Sequence, residues 1–222
     1  MKEGYDPVLN FSHCPIMHPV LFWDDASGTM NWVLAGTGSG YSMTYVTTAA
    51  LVGTNGIQFQ TRTSGVTIED YISATKYLWL PPSELLRLQL CIMNYFGSYF
   101  AHFEIFLHWY DGTNQHLAGL RVDGTNGVVS YWNGVSWTAL SGVIWIGTQY
   151  YWTYIDWSIN LRTLLHDRLI FANHAVDMSA IPIPTAGSAT GPHLRLKLQS
   201  TIKGGALEPL YLDQILLTAE NP

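Results

Sequence analysis

Short runs in which apolar and polar residues alternate recur along the chain. The alternation runs through Ile57–Thr63, and in Leu86–Leu90 and His193–Gln199 every second residue is apolar. A period of two residues places apolar side chains on one face of a β-strand and polar side chains on the other. A convincing helical period is found nowhere in the sequence. The pattern therefore predicts an all-β protein.

Turn signals separate these runs. Gly-Thr-Asn occurs at residues 53–55, 112–114 and 124–126, and Asn133-Gly134 is a strong hairpin signal. These signals predict one hairpin between residues 117–122 and 128–132, and a second around Asn133-Gly134. Strand runs recur about every 8–12 residues, which is typical of a β-sandwich or jelly roll.

Residues 181–192 are rich in proline and small residues and predict a long loop. Only two strands fit after this segment, too few for an independent domain. We therefore expect the last two strands to complete sheets begun earlier in the chain.

The first nineteen residues differ from the rest because prolines interrupt them and no period fits them. They predict an extended N-terminal arm (1–19) ahead of a single jelly-roll β-sandwich (20–222). The arm could pack on its own subunit or on a neighbour. Its predicted contact residues are the apolar ones: Val8, Leu9, Phe11, Ile16 and Met17.

Composition narrows the classes of function. Charged residues make up 12% of the chain, aromatic residues 14%, and the net charge is −6. This composition excludes disorder and coiled coils, and it argues against nucleic-acid binding by phosphate neutralisation. We expect no membrane span and no signal peptide, because long uninterrupted apolar runs are absent from the sequence. Cys14 and Cys91 are expected to be free, buried thiols, and the alternative is a single disulfide between them.

Two stretches carry a resemblance. Residues 152–161, followed by 169–174 and 177–179, resemble laminin-G-like and concanavalin A-like jelly rolls. Residues 22–25 and 211–217 are similar to the first and last strands of carbohydrate-binding-module sandwiches. The resemblance implies that these two strands lie side by side. It also implies a structural calcium at their junction, with Asp24, Asp25 and Asp213 as ligands. The alternative is that Asp24 and Asp25 cap the following turn.

Catalytic patterns are missing from the sequence. The six glutamates do not show the Glu-x-Asp-x-x-Glu spacing of the concanavalin-like glycosidases, and a Gly-x-Ser-x-Gly elbow is absent. Glu104 and His108 share a strand face but lie about 13 Å apart, too far for direct proton transfer. The histidines beside Cys14 lack zinc spacing. We therefore expect no enzyme activity.

Nine tryptophans and tyrosines cluster within residues 109–152. Neighbours such as Tyr131 and Trp132 must point to opposite faces of a strand, so about half of the cluster is expected outside the core. Exposed aromatic rings suit glycan stacking or protein contacts. The predicted contact residues are Trp109, Tyr110, Tyr131, Trp132 and Trp137.

The low charge and the apolar arm favour a non-catalytic structural protein that forms an oligomer. The setting we expect is a virion surface, as a capsid decoration or tail-associated component, or another extracellular assembly, made in the cytoplasm without a signal peptide. Its partners would be its own or other structural subunits. The alternative function is a lectin-like carbohydrate-binding module with a glycan partner. No cofactor is expected apart from the structural calcium that the resemblance implies.

Overall fold

The computed structural model describes most of the chain after the arm. The described residues are 20–28, 30–37, 40–61, 69–79, 81, 83–94, 100–145, 151–188, 193–204 and 209–220. The predicted arm, including Val8, Leu9, Phe11, Ile16, Met17 and Cys14, lies outside these ranges. Within them, no helix is long and apolar enough to cross a membrane.

The described chain is built from sixteen β-strands. In chain order they are β1 Val20–Asp24, β2 Val33–Gly36, β3 Ser42–Val46, β4 Gly56–Gln60, β5 Tyr71–Leu78, β6 Leu85–Asn94, β7 Phe100–Tyr110, β8 Asn114–Asp123, β9 Val128–Trp132, β10 Trp137–Ile144, β11 Thr153–Asn160, β12 Leu165–Phe171, β13 His174–Asp177, β14 Thr185–Ser188, β15 His193–Ile202 and β16 Leu210–Glu220.

These strands form two antiparallel sheets of eight strands each. The first sheet has the order β13-β12-β11-β6-β16-β4-β3, with β1 also paired to β16. The second sheet has the order β10-β9-β8-β7-β15-β5-β2, with β14 also paired to β8. The last two strands, β15 and β16, are therefore inserted in the middle of the second and first sheets. This confirms that the C-terminal strands complete sheets begun earlier.

The core lies between the sheets and follows from the alternating pattern. On β15, Leu194, Leu196 and Leu198 are fully buried, while the residues between them face outward. On β6, Leu86 and Leu88 are buried in the same hydrophobic cluster. Each sheet thus presents one apolar face to the other, as expected for a sandwich.

The turn predictions are confirmed where the structure describes them. The Asp123 carboxylate accepts the backbone N–H groups of Thr125 and Asn126, which closes the turn between β8 and β9. The Asn133 side chain does the same for Val135 and Ser136 between β9 and β10. These side chains supply the acceptors that a turn needs, so the hairpins are encoded locally.

The prediction of a continuous loop over residues 181–192 is wrong for part of that segment. Thr185–Ser188 form β14, which pairs with β8 along His116 and Asn114. The small residues of this segment gave no strand signal in the sequence. β14 forms here because β9 pairs with one end of β8 only and leaves the other end of that edge free to form hydrogen bonds.

Candidate functional site

The outer face of the second sheet carries an unusual concentration of polar and aromatic side chains. It is contributed by β7, β15 and β8 at the centre, with β9, β10 and β5 at the sides. The register places Glu104 opposite Gln199, Phe106 opposite Lys197, and His108 opposite Arg195. Opposed residues of an antiparallel pair share a face, so these six side chains form adjoining rows.

An aromatic group lies at the centre of this face. Ring centroids are 5.7 Å apart between Phe106 and Trp137, and 5.5 Å apart between Trp132 and Trp137. Gly119 on β8 makes this approach possible. A Cβ atom at this position would lie 2.9 Å from the Trp132 side chain and 3.2 Å from those of Phe106 and Trp137.

Glu104 organises the neighbouring polar side chains. It is 4% exposed, accepts the Arg121 Nε–H at 2.9 Å, and accepts the Gln199 amide at 2.9 Å. The Arg121 guanidinium in turn lies 4.4 Å from the Trp137 ring centroid, in a cation–π contact. Ionic and aromatic groups therefore hold one another in fixed positions.

His108 is neutral on this face. Its Nδ1 atom accepts hydrogen bonds from Arg195 at 2.7 Å and from Gln115 at 3.1 Å. An arginine can only donate, so the ring proton of the neutral imidazole must sit on Nε2. Burial, together with the charges of Arg195 and Lys197, lowers the pKa of His108 to about 3.

Lys197 lies between charged and aromatic neighbours. Its ammonium group is 5.7 Å from the Phe106 ring centroid. Partial burial lowers the pKa of this lysine, and Arg195 acts in the same direction, whereas Glu104 opposes them. On the other side of β15, Tyr77 lies opposite Arg195 and is 56% exposed.

The predicted aromatic contact residues fall into three groups. Trp132 and Trp137 lie together on the outer face described above. Tyr110 lies at the end of this face, with its ring 3.9 Å from that of His193. The prediction is wrong for Trp109, which is 2% exposed and belongs to the core. Tyr131 points inward and packs against the core, as alternation with Trp132 requires.

Sequence reasoning missed most of the polar residues of the site. Arg121, Arg195, Lys197 and Gln199 were not selected, although alternation already placed the last three on one strand face. The sequence grouped Glu104, Phe106 and His108 on one face, and this is confirmed. It carried no signal that β7 and β15, about 90 residues apart in sequence, pair with each other.

The three aspartates assigned to calcium are not gathered into one group of side chains in the described structure. Among the described residues, no group of three His, Cys, Asp or Glu side chains is placed to hold a metal ion. The first and last strands do pair, through contacts such as Asp24 with Ile215. Asp24, however, accepts the Ala26 amide, the Trp32 indole N–H and the Tyr45 hydroxyl. This arrangement supports the turn-capping alternative for Asp24.

The other two aspartates also have internal partners. Asp25 accepts the Ser27 amide. Asp213 is fully buried and accepts the backbone N–H groups of Leu51 and Val52 at 2.7 and 3.0 Å. Asp213 thereby connects the segment before β4 to β16.

On the outer face of the first sheet, charged side chains pair with each other. Arg87 donates to both carboxylate oxygens of Asp156, at 2.8 and 2.6 Å. Nearby, Met93, Tyr211 and Ala49 form a small apolar cluster beside Cys91, whose thiol is free and buried. The second sheet is therefore the better candidate for ligand binding.

Comparison with known proteins identifies the fold. No family model and no curated protein matches the sequence. A carbohydrate esterase of the Shiga toxin-encoding bacteriophage phi24B is similar in structure, with a TM-score of 0.61 and 13% identity, covering 92% of this chain and 100% of that chain. The globular domain of T. cruzi calreticulin has a TM-score of 0.53 and 9% identity, covering 91% of this chain and 89% of that chain.

The cellulose-induced protein Cip1 has a TM-score of 0.52 and 10% identity, covering 90% of this chain and 98% of that chain. At such identities the likeness establishes the architecture alone. The chain is a jelly-roll β-sandwich, as the resemblance in the sequence implied.

Proposed function

We propose that the chain is a non-catalytic carbohydrate-binding protein and that the outer face of its second sheet is the binding surface. The observation that carries this proposal is the cluster of Phe106, Trp132 and Trp137, partly exposed beside a hydrogen-bonded polar network. A sugar ring has apolar C–H faces that pack on aromatic rings and hydroxyl groups that need polar partners. This face offers both.

The rigidity of the network supports a binding role. Glu104 holds Arg121 and Gln199, and His108 is held by Arg195 and Gln115. Side chains fixed in advance lose little conformational entropy when a ligand arrives, so more of the contact energy appears as affinity.

The same bonds favour binding over catalysis. The Glu104 oxygens accept from Arg121 and Gln199, and the His108 Nδ1 atom is occupied by donors. A general base needs a free acceptor aimed at its substrate. In this arrangement each of these acceptor atoms already has a donor from the protein.

The test is affinity electrophoresis of the full chain in gels that contain soluble polysaccharides. We expect Trp137→Ala to weaken binding of the retarding polysaccharide by at least about tenfold, as for an aromatic residue at the centre of an interface. Trp23→Ala is the matched control, because Trp23 is 61% exposed on the first sheet. The proposal would be contradicted if no polysaccharide retards the chain, or if Trp137→Ala and Trp23→Ala weaken polysaccharide binding equally.

A second candidate function is subunit assembly, in the virion setting named above. Val20 and Trp23 on β1 are 50% and 61% exposed, and the apolar arm leads directly into this strand. In the described part of the chain β1 pairs with β16 alone. Exposed apolar side chains beside an unpaired strand edge are suited to contacts with another subunit.

Native mass measurement tests this second function. The full chain is expected to form an oligomer, and a chain lacking residues 1–19 is expected to be monomeric. Normal assembly by the truncated chain would contradict a role of the arm, and a monomeric full chain would contradict assembly altogether.

A further inference from the structure

The central part of the proposed binding face differs in charge from the rest of the protein. The chain carries 10 lysines and arginines against 16 aspartates and glutamates. At the centre of this face, however, Arg121, Arg195 and Lys197 surround a single carboxylate, that of Glu104. A positive patch on an acidic protein attracts anions locally and points to a negatively charged ligand.

Two of these cations have no carboxylate partner. Glu104 is paired with Arg121. Among the described residues, neither Arg195 nor Lys197 forms an ion pair, and the Arg195 Nε atom is buried without a hydrogen-bond partner. No carboxylate in direct contact therefore neutralises the positive charges of Arg195 and Lys197 within the described part of the chain.

The other carboxylates near this face are already occupied. Asp123, at one end of β8, accepts the amides of its own turn. Asp111, directly after the last residue of β7, accepts the backbone N–H groups of Thr113 and Asn114 and is hydrogen-bonded to His116. Neither carboxylate neutralises Arg195 or Lys197.

The face is also rich in donors and poor in acceptors. The His108 Nε2–H, the Arg195 guanidinium and the Lys197 ammonium are all donors, while each Glu104 oxygen already accepts at least one hydrogen bond. Neutral sugar hydroxyls need acceptors as well as donors. A carboxylate is an acceptor only, so it complements this face better than a hydroxyl does.

The cations lie between aromatic side chains. Arg195 and Lys197 are two residues apart on β15, about 7 Å along the strand. Tyr77 flanks Arg195 from β5, and Phe106 flanks Lys197 from β7. A sugar ring packed on either aromatic would hold its acidic substituent beside a cation.

We propose that this face binds an acidic polysaccharide of the uronate class, with sugar carboxylates against Arg195 and Lys197 and sugar rings on Phe106 and Tyr77. The inference rests on the proposed carbohydrate-binding function and specifies its ligand class. Binding weakens as salt is added, because it includes contacts between exposed charges.

The experiment uses the full chain and matched polymers in affinity gels: polygalacturonate, its highly methyl-esterified form, a neutral glucomannan and dextran sulfate. Polygalacturonate is expected to retard the chain most. Lys197→Met is expected to weaken that binding about tenfold, the loss of one charge-assisted hydrogen bond. Arg168→Met, an equal loss of charge at an exposed position on β12, is expected to leave it unchanged.

The outcomes distinguish failure of the uronate assignment from failure of carbohydrate binding itself. Equal retardation by the esterified and free polymers, or binding of the glucomannan alone, overturns the uronate assignment and leaves carbohydrate binding intact. Equal retardation by dextran sulfate and polygalacturonate also overturns it, because the face would then respond to charge alone. Binding to none of the polysaccharides overturns both.

The urea midpoint of each variant shows that it is folded. Arg195→Gln provides a second, independent loss of charge on the same strand. Unchanged binding in both folded variants overturns the assignment of Arg195 and Lys197.

Discussion

Lowering the pH from 7.5 to 5.5 is expected to destabilise the folded chain through two buried histidines. Burial, aided by two neighbouring cations, lowers the pKa of His108 to about 3, and burial lowers that of His166 to about 4. An unfolded histidine has a pKa near 6.5. Between these values the unfolded chain binds more protons than the folded chain, so the free energy of unfolding falls as the pH falls.

The magnitude depends on the unfolded state alone, provided that both folded pKa values lie well below 5.5. At pH 5.5 an unfolded histidine is about ten parts protonated to one part neutral, which costs about 1.4 kcal/mol for each side chain. His108 and His166 together give roughly 3 kcal/mol. His102, whose pKa burial also lowers, adds to the loss, whereas Asp213, whose pKa burial raises, opposes it.

Urea unfolding followed by tryptophan fluorescence, at pH 7.5 and 5.5, measures this loss. His108→Gln is expected to lose about 1.4 kcal/mol less than the wild type between the two pH values, because one titrating side chain is gone. His174→Gln, at an exposed position on β13, is the control and should match the wild type. If the free energy of unfolding of His108→Gln falls as much between the two pH values as that of the wild type, the reasoning is refuted, since His108 would then not be held neutral by the fold.

Three further outcomes follow from burial. Arg87→Ala is expected to cost about 3–5 kcal/mol in urea unfolding, because Asp156 is 2% exposed and would lose its cation. Arg162→Ala, which breaks an exposed ion pair, should cost less than about 1 kcal/mol, and equal losses would contradict this. Trp109→Ala should cost about 3–5 kcal/mol, and a loss under about 1 kcal/mol would place Trp109 outside the core. Burial raises the pKa of Cys91 to about 12, so a disulfide reagent should label this thiol much more slowly in the native chain than in urea, and equal rates would contradict its burial.

The sequence predicted the strands well because their signals are local. Alternation in Leu86–Leu90 and His193–Gln199 marks β6 and β15, and hydrogen bonds between residues two or three positions apart close the hairpins. Pairing between distant strands has no such signal. The position of β15 between β5 and β7 depends on contacts across about 80 to 130 residues, so the sequence left the partners of this strand open.

In the candidate site, too, the sequence predicted local features but not contacts between distant strands. Trp132 and Trp137 lie on one hairpin, so their shared face follows from local alternation and a short turn. Phe106 joins them because Gly119 leaves room on the intervening strand. That meeting combines three strand pairings, and only the structure reveals it.

The positions of the charged side chains in the structure change how the low charge content of this protein is interpreted. A shortage of charged residues suggested a surface covered by partners. In the described structure, the half-buried charges on the outer faces of both sheets form specific pairs, Arg87 with Asp156 and Arg121 with Glu104. Where charge is scarce and otherwise paired, a half-buried cation without an ion-pair partner gives up solvation that an acidic ligand would restore. Lys197 and Arg195 are therefore better explained by an acidic ligand than by a protein partner of unspecified kind.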